Sequence, residues 1–317
     1  MKAAIVVEAG RPPVHGDFRD PVAAAGQQLV RVTAAAISHV TRSRASGSHY
    51  SADGALHFVP GIDGCGVAQD GRRVYFLLPE PPFGAMAEAA VVDDARCLAL
   101  PQDLSDEAAA AMAIPGMSSW AALVERAHLR AGETVLVNGA TGASGRLAIQ
   151  VARHLGAGRV IATGRRTQAF DELRQLGADA TIALTDDRDA LEQAFRQAFS
   201  AGVDVVLDYL WGASAETLLV AAAKAGREAV PIRFVQIGSI AGANITLPGA
   251  ALRSSALQLM GSGIGSIPLS RMFEAVRGVL QAAPSAGFRI ATESMPLADV
   301  TTAWAAADGG RRIVLRP

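Results

Sequence analysis

At 317 residues the chain is long enough for two domains that each bury a core of their own. A formal net charge of −1 excludes a global basic field for nucleic acid or a membrane surface, and the basic residues are nearly all arginine. Only Lys2 and Lys224 are lysines, which leaves Schiff-base chemistry almost no candidates, and no apolar run reaches the length of about eighteen residues that a membrane helix needs.

In chain order, Met1 to Val7 reads as a first strand. It is too short for the apolar core of a signal peptide and is broken by Glu8, so a soluble, cytoplasmic protein is expected. Short β-like runs follow at Gln28 to Thr33, Val74 to Leu78 and Ala87 to Val92, separated by Gly, Pro and Asp turns, and predict a mostly β unit up to about Gly116. Cys65 and Cys97 form neither a disulfide framework nor a paired metal knuckle and read as small buried hydrophobes. Ser105-Asp106-Glu107, then Ala108 to Ala113, predicts a capped helix that Pro115 ends, with Ser118 to Ala127 restarting the helical pattern.

Thr134 to Gly145, TVLVNGATGASG, is the most informative stretch. A β-branched run enters Gly139-Ala140-Thr141-Gly142-Ala143-Ser144-Gly145, and an apolar helical pattern (Leu147, Ile149, Val151, Leu155) leaves it. Strand, glycine turn and helix in that order form a dinucleotide phosphate site: Gly142 admits the pyrophosphate, Gly145 lets helix pack on strand, and the helix N-terminus offers N–H groups to the anion. Ala140 stands where the strictest GxGxxG form has its first glycine. The next strand, Arg159 to Thr163, ends where NAD-preferring folds place an acid for the ribose 2′-hydroxyl, and here Gly164 is followed by Arg165 and Arg166. Guanidinium groups match a phosphate, so NADPH is the expected cofactor.

Strands and helices then alternate: helix 143–155, strand 159–163, helix 167–176, strand 180–184, helix 188–199, strand 203–208, helix 214–225 and strand 233–237, with Leu257 to Met260 as a further strand. This alternation predicts an α/β fold with a doubly wound parallel sheet. A helix from Leu269 to Ala282 and a tail strand, Ile313 to Leu315, return to the first unit. Tyr209 and Trp211, after the strand ending at Asp208, read as core aromatics.

The chain as a whole resembles the medium-chain dehydrogenase/reductase superfamily, in its zinc-independent quinone oxidoreductase branch. The resemblance is carried by Ala34-Ala35-Ala36-Ile37-Ser38-His39, Val59 to Val67 (VPGIDGCGV), Phe83-Gly84-Ala85-Met86-Ala87-Glu88, the glycine turn, and Gly310-Arg311-Arg312-Ile313-Val314-Leu315, in the family's order over nearly all of the sequence. It implies a GroES-like, mostly β substrate and catalytic domain (1–117, completed by 267–317) into which a Rossmann NADPH-binding domain (118–266) is inserted, with an interdomain cleft. Ser38 aligns with the cysteine and Ile62 with the histidine that hold catalytic zinc in alcohol dehydrogenases of the superfamily, Pro115 falls near the third ligand, and the cysteine-rich loop for structural zinc is missing. Three ligands are therefore not assembled, and no metal site is expected.

The resemblance implies hydride transfer from NADPH to a quinone or an α,β-unsaturated carbonyl, a small, apolar acceptor, with a homodimer formed through edge strands near Ile245 or Leu257. An enoyl reductase acting on a thioester and a non-catalytic NADPH-binding redox sensor are the alternatives. Ser38 and Thr41 stand where quinone oxidoreductases often carry Asn and Asp; both keep hydrogen-bonding capacity and lose the charge. Tyr50 lies where related reductases have a cleft tyrosine, able to deliver a proton or to anchor a loop. His39 reads as structural or as a proton relay. Gly238-Ser239-Ile240 is similar to the family's loop that passes the cofactor, and Gly261-Ser262-Gly263 to the segment that meets the nicotinamide carboxamide.

Overall fold

The computed structural model describes residues 1–48, 56–306 and 310–317. The chain forms β1 (Lys2–Ile5), β2 (Val14–Asp17), β3 (Gln27–Ala36), α1 (His39–Ala45), β4 (Asp63–Ala68), β5 (Arg73–Leu77), β6 (Ala89–Asp93) and β7 (Cys97–Ala99). There follow α2 (Asp106–Ala121), β8 (Thr134–Asn138), α3 (Ala143–His154), β9 (Arg159–Gly164), α4 (Phe170–Gln175), β10 (Ala180–Ala183), α5 (Arg188–Ser200), β11 (Val205–Asp208), α6 (Gly212–Ala225) and β12 (Ile232–Gln236). The last elements are α7 (Gly249–Arg253), β13 (Leu257–Gly261), α8 (Leu269–Ala286), β14 (Thr292–Pro296), α9 (Val300–Ala305) and β15 (Arg312–Arg316). Two compact units result: Met1–Ile114 with Leu280–Pro317, and Pro115–Val279.

The first unit is mostly β. Its larger sheet runs β14-β15-β3-β4-β5-β7, with β6 also paired to β3, and β1 pairs with β2 in a small antiparallel sheet. The β15–β3 pairing, Val314 opposite Ala36, stitches the C-terminal tail into the N-terminal sheet. Val30, Val32, Val74, Phe76, Met86, Val92 and Leu315 fill its core.

The second unit carries the expected doubly wound sheet, with every pairing parallel and the order β10-β9-β8-β11-β12-β13. Renumbered within the unit, that order is 3-2-1-4-5-6, which reverses direction between β8 and β11. Val135, Leu136 and Val137 are fully buried, as a strand covered on both faces requires. Helix α5 shows why such segments become helices: the Asp187 carboxylate accepts from the Ala190 N–H at 3.0 Å, and Leu191, Phe195, Ala198 and Phe199 repeat on one buried face.

Two expectations are corrected. Pro115 does not end a helix: α2 runs through it to Ala121 and continues as one wider π turn, with the Ala127 N–H bonded to the Ala122 carbonyl. Burial of Ala109 to Ala113 and of Ala121, Ala122 and Leu123 outweighs the roughly 3 kcal/mol that a mid-helix proline costs. Ile245 lies in no strand, since 237–248 contains none; β13 is one edge of the parallel sheet, and only Leu257 of the pair lies on it.

Candidate active site

In a parallel sheet every strand delivers its following loop to the same edge. The turns after β8, β9, β11, β12 and β13 therefore share one rim, and Ala140 to Gly145, Gly164 to Arg166, Gly238 to Ile240 and Gly261 to Gly263 all lie on it.

At its centre the turn after β8 opens with Gly139 at φ +90° and reaches Gly142, the extended residue that starts α3. No side chain caps this helix, and its first internal bond runs from the Arg146 N–H to the Gly142 carbonyl at 3.0 Å. The N–H groups ahead of Arg146 thus have no intrahelical acceptor. Gly142 has open space beside it: an added Cβ would meet only the Gly139 carbonyl, at 3.9 Å. Gly145 is the opposite case, since a Cβ there would lie 2.5 Å from Ala140 Cα, so glycine lets α3 sit against the turn. This is a cradle for an anion, and the residues present fit a dinucleotide phosphate.

The end of β9 adds the discriminating feature. A Cβ on Gly164 would fall 2.4 Å from Thr141 Cγ2, so Thr141 keeps that position free of the acidic side chain that would grip a 2′-hydroxyl. Arg165 and Arg166 next to it are exposed. Arg166 Nη2 donates to the Thr141 carbonyl at 2.7 Å, and Arg165 makes no side-chain hydrogen bond among the described residues. A second guanidinium reaches the same carbonyl: Arg146 Nη1 donates to it at 2.6 Å while Nη2 pairs with Glu172 at 2.8 Å. Arg146 escaped sequence reading because it lies on α3, twenty residues from the arginine pair; a charged residue directly after a packing glycine was the available signal.

Beneath the turn, buried polar groups tie three strands together. Thr163 Oγ1 donates to Asn138 Oδ1 at 2.7 Å and accepts from the Gly139 N–H at 3.1 Å, while Asn138 Nδ2 donates to Asp208 Oδ1 at 2.8 Å. The Asp208 carboxylate also accepts from the Leu210 and Trp211 N–H groups; burial raises its pKa, partly opposed by these bonds. Sequence reading missed this network, whose members are far apart in the chain. Tyr209 and Trp211 are half-buried. The Tyr209 hydroxyl shares a 2.8 Å hydrogen bond with Ser119 Oγ, and burial pushes its phenol up to about 12. In the neighbouring turns, Gly238 packs where a Cβ would be 2.6 Å from the Tyr209 carbonyl, Ile240 is exposed, the Gly261 carbonyl accepts from Arg126 Nε at 2.8 Å, and the Ser262 N–H bonds the Gln236 carbonyl at 2.8 Å. The Gly263 N–H is taken by Ser266 Oγ at 2.9 Å.

In the mostly β unit, Ser38 and Thr41 are brought together and buried: their hydroxyls share a 2.8 Å hydrogen bond, and Ser38 Oγ caps α1 by accepting from the Thr41 N–H at 3.0 Å. Tyr50 lies outside the described residues. In the same unit Asp63 is buried with the Tyr75 hydroxyl on its carboxylate at 3.1 Å; burial pushes its pKa up to about 7, against the pull of Arg312 and Tyr75. Cys65 is buried and Cys97 half-buried, both unbridged. Thr41 and Ile62 face a pocket of about 300 Å³, walled by Phe58, Pro60, Leu78 and Phe83, with Arg44 and Arg96 also lining it.

A catalytic zinc does not fit these residues. Ser38 spends its hydroxyl on the helix cap, Ile62 has no donor atom, Pro115 lies within α2, and among the described residues no group of three or more His, Cys, Asp or Glu side chains converges.

Residues 143–282 match the zinc-binding dehydrogenase family model. A probable NADPH-dependent quinone reductase from Emericella nidulans is 32% identical, with all of both chains covered. The quinone oxidoreductase of Pongo abelii is 31% identical over 66% of each chain. Among solved structures, the quinone oxidoreductase of Thermus thermophilus, also determined with NADPH, superposes over the whole of both chains with a TM-score of 0.84 at 29% identity. Full-length similarity of this kind, on a doubly wound sheet inserted into a mostly β unit, leaves one assignment: the chain belongs to the medium-chain dehydrogenase/reductase superfamily, in its quinone reductase-like branch.

Proposed function

We propose that this protein is an NADPH-dependent oxidoreductase that delivers hydride to a quinone or an α,β-unsaturated carbonyl. The observation that carries the reading is the pairing of Gly164, kept bare by Thr141, with the exposed Arg165 and Arg166 beside an uncapped helix start. The full-length relative described as an NADPH-dependent quinone reductase supports it. NADPH, when bound, supplies the hydride. The turn Ala140 to Gly145 holds the pyrophosphate, through the backbone N–H groups at the start of α3, and Gly164, Arg165 and Arg166 take the 2′-phosphate. Gly238, Ser239, Ile240, Gly261, Ser262 and Gly263 line the path to the nicotinamide. On the acceptor side Tyr50 supplies a proton, and the Ser38–Thr41 pair sets the start of α1. Residues 118–266 thus serve as the cofactor domain, and 1–117 with 267–317 as the substrate domain.

The test is cofactor preference. NADPH binds at least about tenfold more tightly than NADH, and replacing both Arg165 and Arg166 by Ala removes most of that margin. Equal dissociation constants in the unmodified protein would sink the proposal. We further read the enzyme as zinc-independent: elemental analysis of purified protein finds no stoichiometric zinc, and chelation leaves turnover in place. A cytoplasmic homodimer joined along the β13 edge completes the reading; sedimentation as a monomer or recovery in a membrane fraction counts against it.

A further inference from the structure

The pocket in the mostly β unit has an uneven charge balance. Its walls come from the segment leading into β4 (Phe58 to Ile62), the loop after β5 (Leu78 to Gly84), and α1, and they are mostly apolar. Among the described residues no aspartate or glutamate lines it, yet two arginines do. Arg96 is accounted for within the protein: Nη1 donates to the Leu78 carbonyl at 3.0 Å and stands 3.5 Å from Glu80 Oε1. Arg44 is not. It is half-buried in the last turn of α1, and its guanidinium has no hydrogen bond or ion pair among the described residues.

Most other half-buried arginines of the chain find a partner within the protein, Arg159 excepted. Arg73 pairs with Asp106 at 2.6 Å, Arg233 with Glu133 at 2.7 Å, and Arg42, two residues before Arg44, donates to the Ala306 carbonyl at 3.3 Å. The dipole of α1 favours a cation in its last turn, but only weakly, and it satisfies none of the five guanidinium N–H donors. An arginine partly withdrawn from water against an apolar wall gains most from an acceptor that carries charge.

We infer that this pocket takes an electron acceptor bearing an anionic oxygen beside its conjugated system, and that Arg44 receives that oxygen. Two chemical sources present it: an ionised hydroxyquinone, in which the anionic oxygen sits beside one ring carbonyl and shares its charge with the vinylogous carbonyl across the ring, and a conjugated carboxylic acid. Both offer two oxygens in one plane, the pattern a guanidinium fork matches. A volume of about 300 Å³ suits one or two rings. Phe58, Pro60, Pro82 and Phe83 supply apolar wall, so the charge at Arg44 sets which way round the ring enters. The inference rests on the quinone or enone reading above and narrows it to the acidic members of that class.

The test is direct binding to the full-length protein, by calorimetry, of 1,4-naphthoquinone, its 2-hydroxy derivative (an anion at neutral pH) and cinnamate with its neutral methyl ester. Each anion is expected to bind at least about tenfold more tightly than its neutral counterpart, the worth of a charge-assisted hydrogen bond. The margin falls below about threefold in Arg44→Gln. In Arg44→Lys part of it returns, less for cinnamate because an ammonium has no fork. Lowering the pH until the ligand is neutral removes the margin in the unmodified protein. A margin for only one pair assigns the site to that source. No margin for either pair in the unmodified protein, or an undiminished margin in Arg44→Gln, overturns the inference. NADPH-dependent turnover of 1,4-naphthoquinone is measured alongside: turnover without a margin fails the pocket alone, while an Arg44-dependent margin without turnover fails the enzyme reading and leaves the anion site standing.

Discussion

The parallel sheet of Pro115–Val279 and the largely antiparallel sheet of the other unit are both built from β-branched, alanine-rich strands, yet they present their chemistry differently. In the parallel sheet all C-terminal strand ends share one rim, so a short contiguous stretch, Gly139 to Gly145, brings the uncapped start of α3 there from backbone alone. In the antiparallel sheet the ends alternate and no such rim exists. Its pocket is assembled from α1, the segment before β4 and the loop after β5, and side chains rather than N–H groups give it character. A site made of backbone tolerates little steric change, whereas a site made of side chains tolerates folding changes but loses selectivity one group at a time.

The largest expected effect concerns Tyr50, on the acceptor side of the proposed reaction. Tyr50→Phe removes only a hydroxyl, and enone reduction, which must end in protonation on carbon, slows by about 10²-fold or more where general acid catalysis operates. Quinone reduction, whose product oxygen collects a proton from water, slows much less. Steady-state kinetics with both substrate classes check this, and an equal fall in the two assigns Tyr50 to positioning instead.

Next in size is the backbone half of the contrast. Gly164→Asp would install the acid of an NAD-type site but drives Cβ into Thr141 Cγ2, at a cost of about 1–3 kcal/mol in denaturant unfolding. Adding Thr141→Ser removes that methyl and recovers at least half, so the two substitutions couple. Strict additivity would mean that the turn is slack and that its preference for glycine has another origin.

The smallest effect concerns the α1 cap. Ser38→Ala loses the bond to the Thr41 N–H and the Thr41 hydroxyl, at about 1 kcal/mol of stability, while Ser38→Asn, which can still cap, loses less. Thermal unfolding of the two variants separates them, and identical melting would show that the cap contributes nothing.

The helix and strand pattern from Thr134 to Gly261 was legible because period and punctuation agree there. Apolar runs flanked by glycine give strands, Asp187 ahead of a 3.6-residue apolar repeat gives α5, and alternation of the two leaves only a parallel sheet. Short elements were not legible. Strands of three or four residues such as Val14–Asp17 and Cys97–Ala99, and helices such as Gly249–Arg253, carry too little periodicity to stand out and exist because neighbours pair with or cover them. Pro115 reads locally as a helix end, and burial around it decides otherwise.

The sequence by itself determined the family, the doubly wound sheet and the glycine turn with its two following arginines, because each is written in contiguous residues whose backbone preferences are local. Only the tertiary structure decided that Thr141 is what keeps position 164 bare, that Arg146 joins Arg166 on one carbonyl, that Thr163, Asn138 and Asp208 form a buried chain, and that Arg44 faces an apolar pocket without an acid. Those relations join residues on different strands and helices, and no local preference encodes which side chains the packing of a sheet will place within reach of one another.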